Sequence, residues 1–305
     1  MSDAADRPVP AASVLYQPDA DTLDALVSAL ARRGRRLFLF VNGPIDAPIE
    51  RLIGALPNVS IERSADNVGL GAGLNALVGS AGREGYSHLV LFDQDSAPDE
   101  NLCEALMRRF EALDQPSRPL AALGPRLAPP AEGGYLPIRY WRRRPAAGLP
   151  PGVVDFLPTS GSLISLAAWR RVGPFRADYF IGGIDVEWGY RCWANGLASV
   201  VADDIVMAHR WGHARASEGG REPQILRQDD IRLYYYLRNA ADGLRLAHMP
   251  ARWKARQIAT LTVQLPLLLA SRRFSSRTFG LIRRAFVDGW RGRLGPAPDD
   301  LDAPG

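Results

Sequence analysis

Two carboxylates one residue apart, Asp93 and Asp95, close the run His88-Leu-Val-Leu-Phe-Asp-Gln-Asp-Ser96. The apolar part reads as a buried strand that stops at the acids. On an extended chain alternate residues share a face, so both carboxylates can aim at one point beyond the strand. Hard oxygen donors converging there suit Mg²⁺ or Mn²⁺ carrying a diphosphate. Pro98 fits the first turn of a following helix and marks where the strand stops. The competing reading is a solvated turn rich in helix-capping residues.

Four further constellations carry polar chemistry. Asp66-Asn-Val-Gly-Leu-Gly-Ala-Gly-Leu-Asn75 is a strand-to-helix junction with three glycines. Backbone without side chains, next to the free N–H groups of a helix start, suits an anion or ribose-phosphate, although glycines that merely pack helix on sheet look the same. Its G-x-G-x-G spacing is not the dinucleotide fingerprint. Asp185-Val-Glu-Trp188 follows Gly182-Gly183 and opens a helix, where a carboxylate can serve as general base toward a hydroxyl. Helix-dipole stabilisation of the N-terminal acids is the alternative, and it suits Glu187 better than Asp185. His209, at a strand end, can complete the coordination begun by Asp93 and Asp95. His213 hints at zinc, but no Cys or Glu stands at ligand spacing, so it reads as structural or peripheral. In Arg232-Leu-Tyr-Tyr-Tyr-Leu-Arg238-Asn239, Arg238 can pair with a diphosphate while the tyrosines serve core packing.

The elements that must position these residues alternate. Strands are expected at Ser13–Tyr16, Leu37–Val41, Val59–Glu62, the Asp93 run and Leu120–Gly124. Helices are expected at Asp21–Arg33, Ile49–Leu56, Leu70–Gly82 and Pro98–Leu113. That order implies βαβ units on a mostly parallel sheet, whose ligands sit beyond the strand C-termini, where Asn42, Asn67, Asp93 and Asp95 fall. Residues 127–152 contain six prolines and read as a long loop. A strand over Val153–Leu166, a helix at Asp185–Asn195 and a strand at Ala198–Met207 follow, and everything from Arg227 reads as helical. No internal repeat is evident.

Composition bounds the protein's class. With 305 residues, 47% of them hydrophobic, the chain can bury a large core. Its net charge is only +4, yet Arg245–Arg293 holds eleven basic residues against the single acid Asp288. This asymmetry points to an anionic membrane surface or a phosphate-rich substrate, and no nucleic-acid partner is expected. Cys103 and Cys192 read as reduced core residues of a cytoplasmic protein. The N-terminus lacks a signal-peptide pattern, and the longest apolar stretch, Ile258–Ala270, is shorter than the roughly 20 residues of a spanning helix.

Taken in order, these segments resemble the inverting family 2 glycosyltransferases of GT-A fold, and most closely the bacterial rhamnosyltransferases of surface polysaccharide. The matching pieces are Tyr16-Gln-Pro18, Asn67–Asn75, Leu91-Phe-Asp-Gln-Asp-Ser96, Thr159-Ser-Gly-Ser-Leu163, Phe180–Arg191, His209, Tyr235–Asn239 and Asp288-Gly-Trp-Arg-Gly-Arg-Leu-Gly295, covering about residues 13–295. Two departures stand out. The family's second strand usually ends with an Asp before Asn-Gly, where this chain has Val41, and an acid often stands where this chain has Gly182.

The resemblance implies a GT-A domain over 13–226, a basic helical region over 227–295, and disordered ends at 1–12 and 296–305. It implies transfer of a sugar, expected to be L-rhamnose from dTDP-rhamnose, by single displacement to a hydroxyl of a glycan or lipid-linked glycan. Galactofuranose or another sugar is the alternative within enzymes, and an inactive scaffold the alternative outside them. Asp185 would be the base, and Asp93, Asp95 and His209 would hold Mg²⁺ or Mn²⁺. Tyr16, Asn42, Asn67, Gly71, Asp93, Gln94 and Arg238 would bind the donor. Ser160, Gly161, Glu187 and Trp188 would serve the acceptor or a secondary role. The expected location is the cytoplasm, peripheral at the inner face of the membrane, with a homodimer possible.

Overall fold

A computed structural model describes residues 7–31, 34–129, 140–143, 149–209 and 224–301. An eight-stranded sheet runs in the order β3-β2-β1-β4-β7-β5-β8-β6. Its strands are β1 (Ala11–Leu15), β2 (Leu37–Asn42), β3 (Val59–Ser64), β4 (His88–Asp93), β5 (Leu120–Ala128), β6 (Val153–Val154), β7 (Ser162–Ser165) and β8 (Ala198–Ala208). The β1–β2, β1–β4, β2–β3 and β5–β8 pairs are parallel, whereas β7 lies antiparallel between β4 and β5.

Helices cover both faces. α1 (Ala20–Ala31), α2 (Ala47–Gly54) and α4 (Leu102–Leu113) lie on one, and α3 (Leu70–Arg83), α5 (Leu166–Val172) and α6 (Ile184–Ala194) on the other. β4 shows how its sequence serves both. Val90 and Phe92 point into the α1/α4 core, and Leu89 and Leu91 into the α3/α6 core. A strand buried on both faces needs this continuous apolar run. By the same alternation Asp93 falls on the α6 side.

Three helices complete the chain: α7 (Asp230–Arg245), α8 (Ala251–Ser271) and α9 (Ser276–Arg291), packed around Leu233, Leu237, Leu261, Leu268 and Leu281. α9 presses closely on α7, since a Cβ on Gly289 would collide with the Arg238 carbonyl oxygen. Only glycine permits that approach.

Several expectations are corrected. The strand at 153–166 divides into β6 and β7, separated by the 155–161 turn, and continues as α5, capped by the Ser165 hydroxyl, which accepts from Ala168 N at 3.3 Å. α4 begins at Leu102, because Ala97 bridges Ala208 and Asp99 caps the next turn through Asn101 N at 2.8 Å. β1 starts at Ala11, inside the stretch expected to be loose. Residues 296–301 fold back, with Ala297 N donating to the Tyr235 hydroxyl at 2.6 Å. Cys103 and Cys192 are buried free thiols, and burial pushes Cys103 up to about 12. Among the described residues no helix is long and apolar enough to cross a membrane.

Candidate active site

The C-terminal ends of β1, β2 and β4 open onto a cavity of about 770 Å³. Tyr16, Asn42, Asn67, Asp93, Gln94 and Asp95 line it from the sheet side. Phe180 and Ile181, the start of α7 and the tail residues Pro296 and Ala297 form the opposite wall. Its size suits a nucleotide-sugar.

Polar residues order the rim. Gln94 bridges the exits of β1 and β4: its Oε1 accepts from Tyr16 N at 2.7 Å and its Nε2 donates to Tyr16 O at 3.0 Å. Asn42 Nδ2 donates to Asn67 Oδ1 at 2.9 Å, and Asn42 Oδ1 accepts from Val68 N at 2.8 Å. Asn67 Oδ1 also accepts from Gly69 N at 3.0 Å. The two asparagines thus fix the loop entering α3.

Asp93 and Asp185 are the electrostatic centre. Burial, with added repulsion from Asp95 and Asp185, pushes Asp93 up to about 7. Burial pushes Asp185 up to about 6, against hydrogen bonds from the backbone N–H groups of Val186 and its own residue. Gly182 and Gly183, both at positive φ, turn the chain into α6, and Asp185 lines a smaller neighbouring pocket with Leu91, Pro158, Thr159 and Trp188, from which its charge still acts on Asp93. Asp95 does not align by strand extension. The chain turns after Asp93, with Ser96 N donating to Asp93 O at 3.0 Å, and Asp95 is exposed. The Ala97–Ala208 bridge carries His209 toward Asp95, whose charge partly offsets the lowering that burial imposes on the imidazole.

Among the described residues no three His, Cys, Asp or Glu side chains converge as a metal cage, so His209 does not join Asp93 and Asp95 in one ligand group. The donor set that remains, two acidic side chains on a cavity open to a diphosphate, fits Mg²⁺, which takes one or two protein carboxylates and completes its shell with phosphates and water. His213 lies outside the described residues.

Other expected contacts resolve differently. Arg238 is fully buried away from the cavity. It donates to Gly295 O at 2.6 Å, Tyr179 O at 2.9 Å and Asp178 O at 3.1 Å, and lies over the Tyr235 ring at 4.8 Å. Its guanidinium is consumed in tying the chain together, and the arginine that does line the cavity is Arg232. Gly71 serves packing, since a Cβ there would meet Arg176 O at 2.6 Å. Ser160 is buried against Ser96, Oγ to Oγ at 2.6 Å, and Gly161 N donates to Leu91 O at 2.7 Å; both hold the turn behind β4. Glu187 is buried between Arg191 at 2.8 Å and His248 at 2.9 Å. Burial alone would raise it, but these partners outweigh burial and hold it below its ordinary value. Trp188 packs on Phe175 and donates to Gly173 O at 3.2 Å.

Arg232, Phe180, Ile181, Tyr235 and Pro296–Ala297 were not legible as site residues. Arg232 opens the same run as Arg238, and only the orientation of α7 separates their roles.

No family model matches this chain. The dTDP-rhamnosyl transferase RfbF of Shigella flexneri is 23% identical over 289 residues, covering 92% of this chain and 95% of RfbF. Residues 1–349 of S. aureus TarS superpose with a TM-score of 0.53 at 12% identity, covering 93% of this chain and 82% of TarS 1–349. TarS 1–349 in complex with UDP-GlcNAc gives a TM-score of 0.53, covering 96% of this chain and 83% of its own. Fold and sequence likeness agree: the chain has the fold of these TarS structures and is similar to a dTDP-rhamnosyl transferase along nearly its whole length.

Proposed function

We propose that the chain is an inverting transferase that moves L-rhamnose from dTDP-rhamnose to a hydroxyl of a surface-polysaccharide glycan. One observation carries the mechanism: Asp93 lies on the donor cavity, and buried Asp185, in a neighbouring pocket at the start of α6, is near enough for their charges to repel. Likeness to a dTDP-rhamnosyl transferase along nearly the whole chain supports the sugar.

In this reading Asp185 accepts the proton of the acceptor hydroxyl as its oxygen attacks the anomeric carbon and the nucleoside diphosphate departs. Burial makes Asp185 a stronger base than an ordinary aspartate and brings it nearer neutral pH. Asp93 and Asp95 are the residues that would hold Mg²⁺ or Mn²⁺, and His209 stands outside that pair, near Asp95. Such an ion offsets charge on the leaving diphosphate. Asn42 and Asn67 shape the wall for the nucleoside, and Arg232 offers a cation at the opposite rim.

The acceptor, a glycan or lipid-linked glycan, is met at the inner face of the cytoplasmic membrane, where nucleotide-sugars are available. The outward side of α8 supports this placement. Ile258, Val263 and Leu267 are exposed on it, with Phe274 beyond its end, and Lys254, Arg256, Arg272 and Arg273 lie near the two ends. Such a helix can lie in a lipid interface; the same face packing in a homodimer is the other occupant.

Incubating the protein with Mg²⁺ and a panel of nucleotide-sugars tests the reading. dTDP-rhamnose should be hydrolysed or transferred fastest. Faster turnover of a UDP-sugar, the donor class bound in the TarS complex, would replace the rhamnose assignment.

A further inference from the structure

The catalytic reading leaves a cluster of arginines on and after α9 unused. A cleft of about 810 Å³ lies between α9 and the tail that follows it, against Tyr234. Five arginines line it (Arg277, Arg283, Arg284, Arg291 and Arg293), and the acids among its lining residues are Asp288 and Asp300. Arg277, Arg284 and Arg291 recur at intervals of seven, which places them along one face of the helix.

Internal pairing accounts for part of this charge. Arg284 bonds Asp300 at 2.6 Å, Arg277 pairs with Asp230 at 3.2 Å, and Arg293 stands 3.7 Å from Asp288. Asp288 is already engaged by the Tyr234 hydroxyl at 3.0 Å. Arg283 and Arg291 have no ion pair among the described residues. These two arginines therefore keep an excess of positive charge on the cleft that an anionic ligand offsets and a neutral glycan does not.

The cleft also has a direction. Pro296 lines both it and the donor cavity, and neighbouring residues of α7 face one each, Tyr234 the cleft and Tyr235 the cavity. A molecule seated in the cleft can therefore extend over the tail to the donor. The rest of the lining is largely apolar, from Leu281, Val287, Leu294 and Leu301.

We infer that this cleft is a second ligand site, which takes the phosphate or diphosphate ester of an acceptor carried on an apolar chain. The guanidinium fork matches phosphate oxygens in pairs, and the apolar wall takes the start of the chain. This inference rests on the transferase reading, because it names what the acceptor must carry.

Calorimetric titration of the full chain without divalent ions tests it. The probes are farnesyl diphosphate, neutral farnesol, inorganic pyrophosphate and phosphatidylglycerol vesicles, against wild type, Arg283→Glu/Arg291→Glu and Asp95→Ala. Farnesyl diphosphate should bind the wild type at least about tenfold more tightly than farnesol. The double charge reversal should cost about tenfold or more, while Asp95→Ala should leave this binding in place. Circular dichroism confirms that the double variant is folded. Pyrophosphate binding with the same sensitivity to charge reversal would support the site and assign recognition to the phosphates alone. Undiminished farnesyl diphosphate binding in the double charge reversal would place the ligand outside the cleft and overturn the inference. Binding to vesicles without binding to farnesyl diphosphate would overturn it in favour of a membrane surface. If dTDP-rhamnose is not turned over but charge reversal still abolishes diphosphate binding, the cleft stands and the donor assignment fails.

Discussion

The side-chain amide of Asn239 on α7 lies 2.8 Å from the carbonyl oxygen of Gly182, three residues before Asp185. The same nitrogen is 3.0 Å from Ile181 O and 3.1 Å from Tyr179 O, while neighbouring Arg238 donates to Tyr179 O and Asp178 O. The segment leading to the expected base is therefore held from the helical region rather than by its own sheet. Gly295 closes the latch from the other side, its N donating to Asp178 O at 2.7 Å.

Replacing Asn239 by Asp puts an acceptor oxygen among three carbonyls. The buried unpaired polar groups should cost about 1–3 kcal/mol, read as a lower thermal midpoint. Turnover should fall further than the loss of folded protein explains and further than donor binding, because the sheet-side wall from β1, β2 and β4 is untouched while only the Phe180–Ile181 wall loosens. Equal losses of turnover and donor binding would show that α7 holds the whole cavity rather than the lead-in to Asp185.

Asp185→Asn keeps the size of the side chain and removes its proton acceptance. Turnover should drop roughly 10²–10⁴-fold while donor affinity survives, as single-turnover kinetics and nucleotide titration will report. Glu187→Gln should behave differently. It loosens Arg191 and His248, so its first effect is a lower melting temperature. A larger kinetic defect in Glu187→Gln than in Asp185→Asn would reverse their roles.

Asp95→Ala, or chelation by EDTA, should abolish transfer with the fold intact. Loss of charge stabilisation at the leaving diphosphate costs about a thousandfold in rate. Full activity under EDTA would remove the divalent ion from the mechanism.

The two raised carboxylates also set a pH dependence. An unfolded aspartate releases its proton near pH 4, whereas folded Asp93 keeps it to about 7 and Asp185 to about 6. Between those values the native state binds more protons than the unfolded chain, so stability falls as pH rises through this window. Each group contributes a slope of up to about 1.4 kcal/mol per pH unit. Thermal melts without divalent ion should show this decline from pH 5 to pH 8, and Asp93→Asn should flatten it. Added Mg²⁺ should also reduce the decline by favouring the charged form. A wild-type melting temperature that rises over this range would contradict the burial of these acids.

The peptide chain by itself determined the scaffold. The apolar run of β4 demands burial on both faces, and the alternation of strands and helices demands a mainly parallel sheet with its site at the strand ends. Those constraints are local and periodic, so the order of residues along the chain suffices to make Asp93, Asn42, Asn67 and Tyr16 neighbours. What tertiary packing decided is which way the later segments face. Arg232 and Arg238 differ by six helical positions, and only the docking of α7 against residues 178–182 sends one to the cavity and buries the other. Likewise, the three glycines around the start of α3 look the same whether a phosphate or a backbone approaches, and it is the Arg176 carbonyl that fills the space at Gly71. Side-chain type states what a residue can do. Its partners, brought from more than fifty positions away as Gly295 is to Arg238, decide which of those capacities remains free.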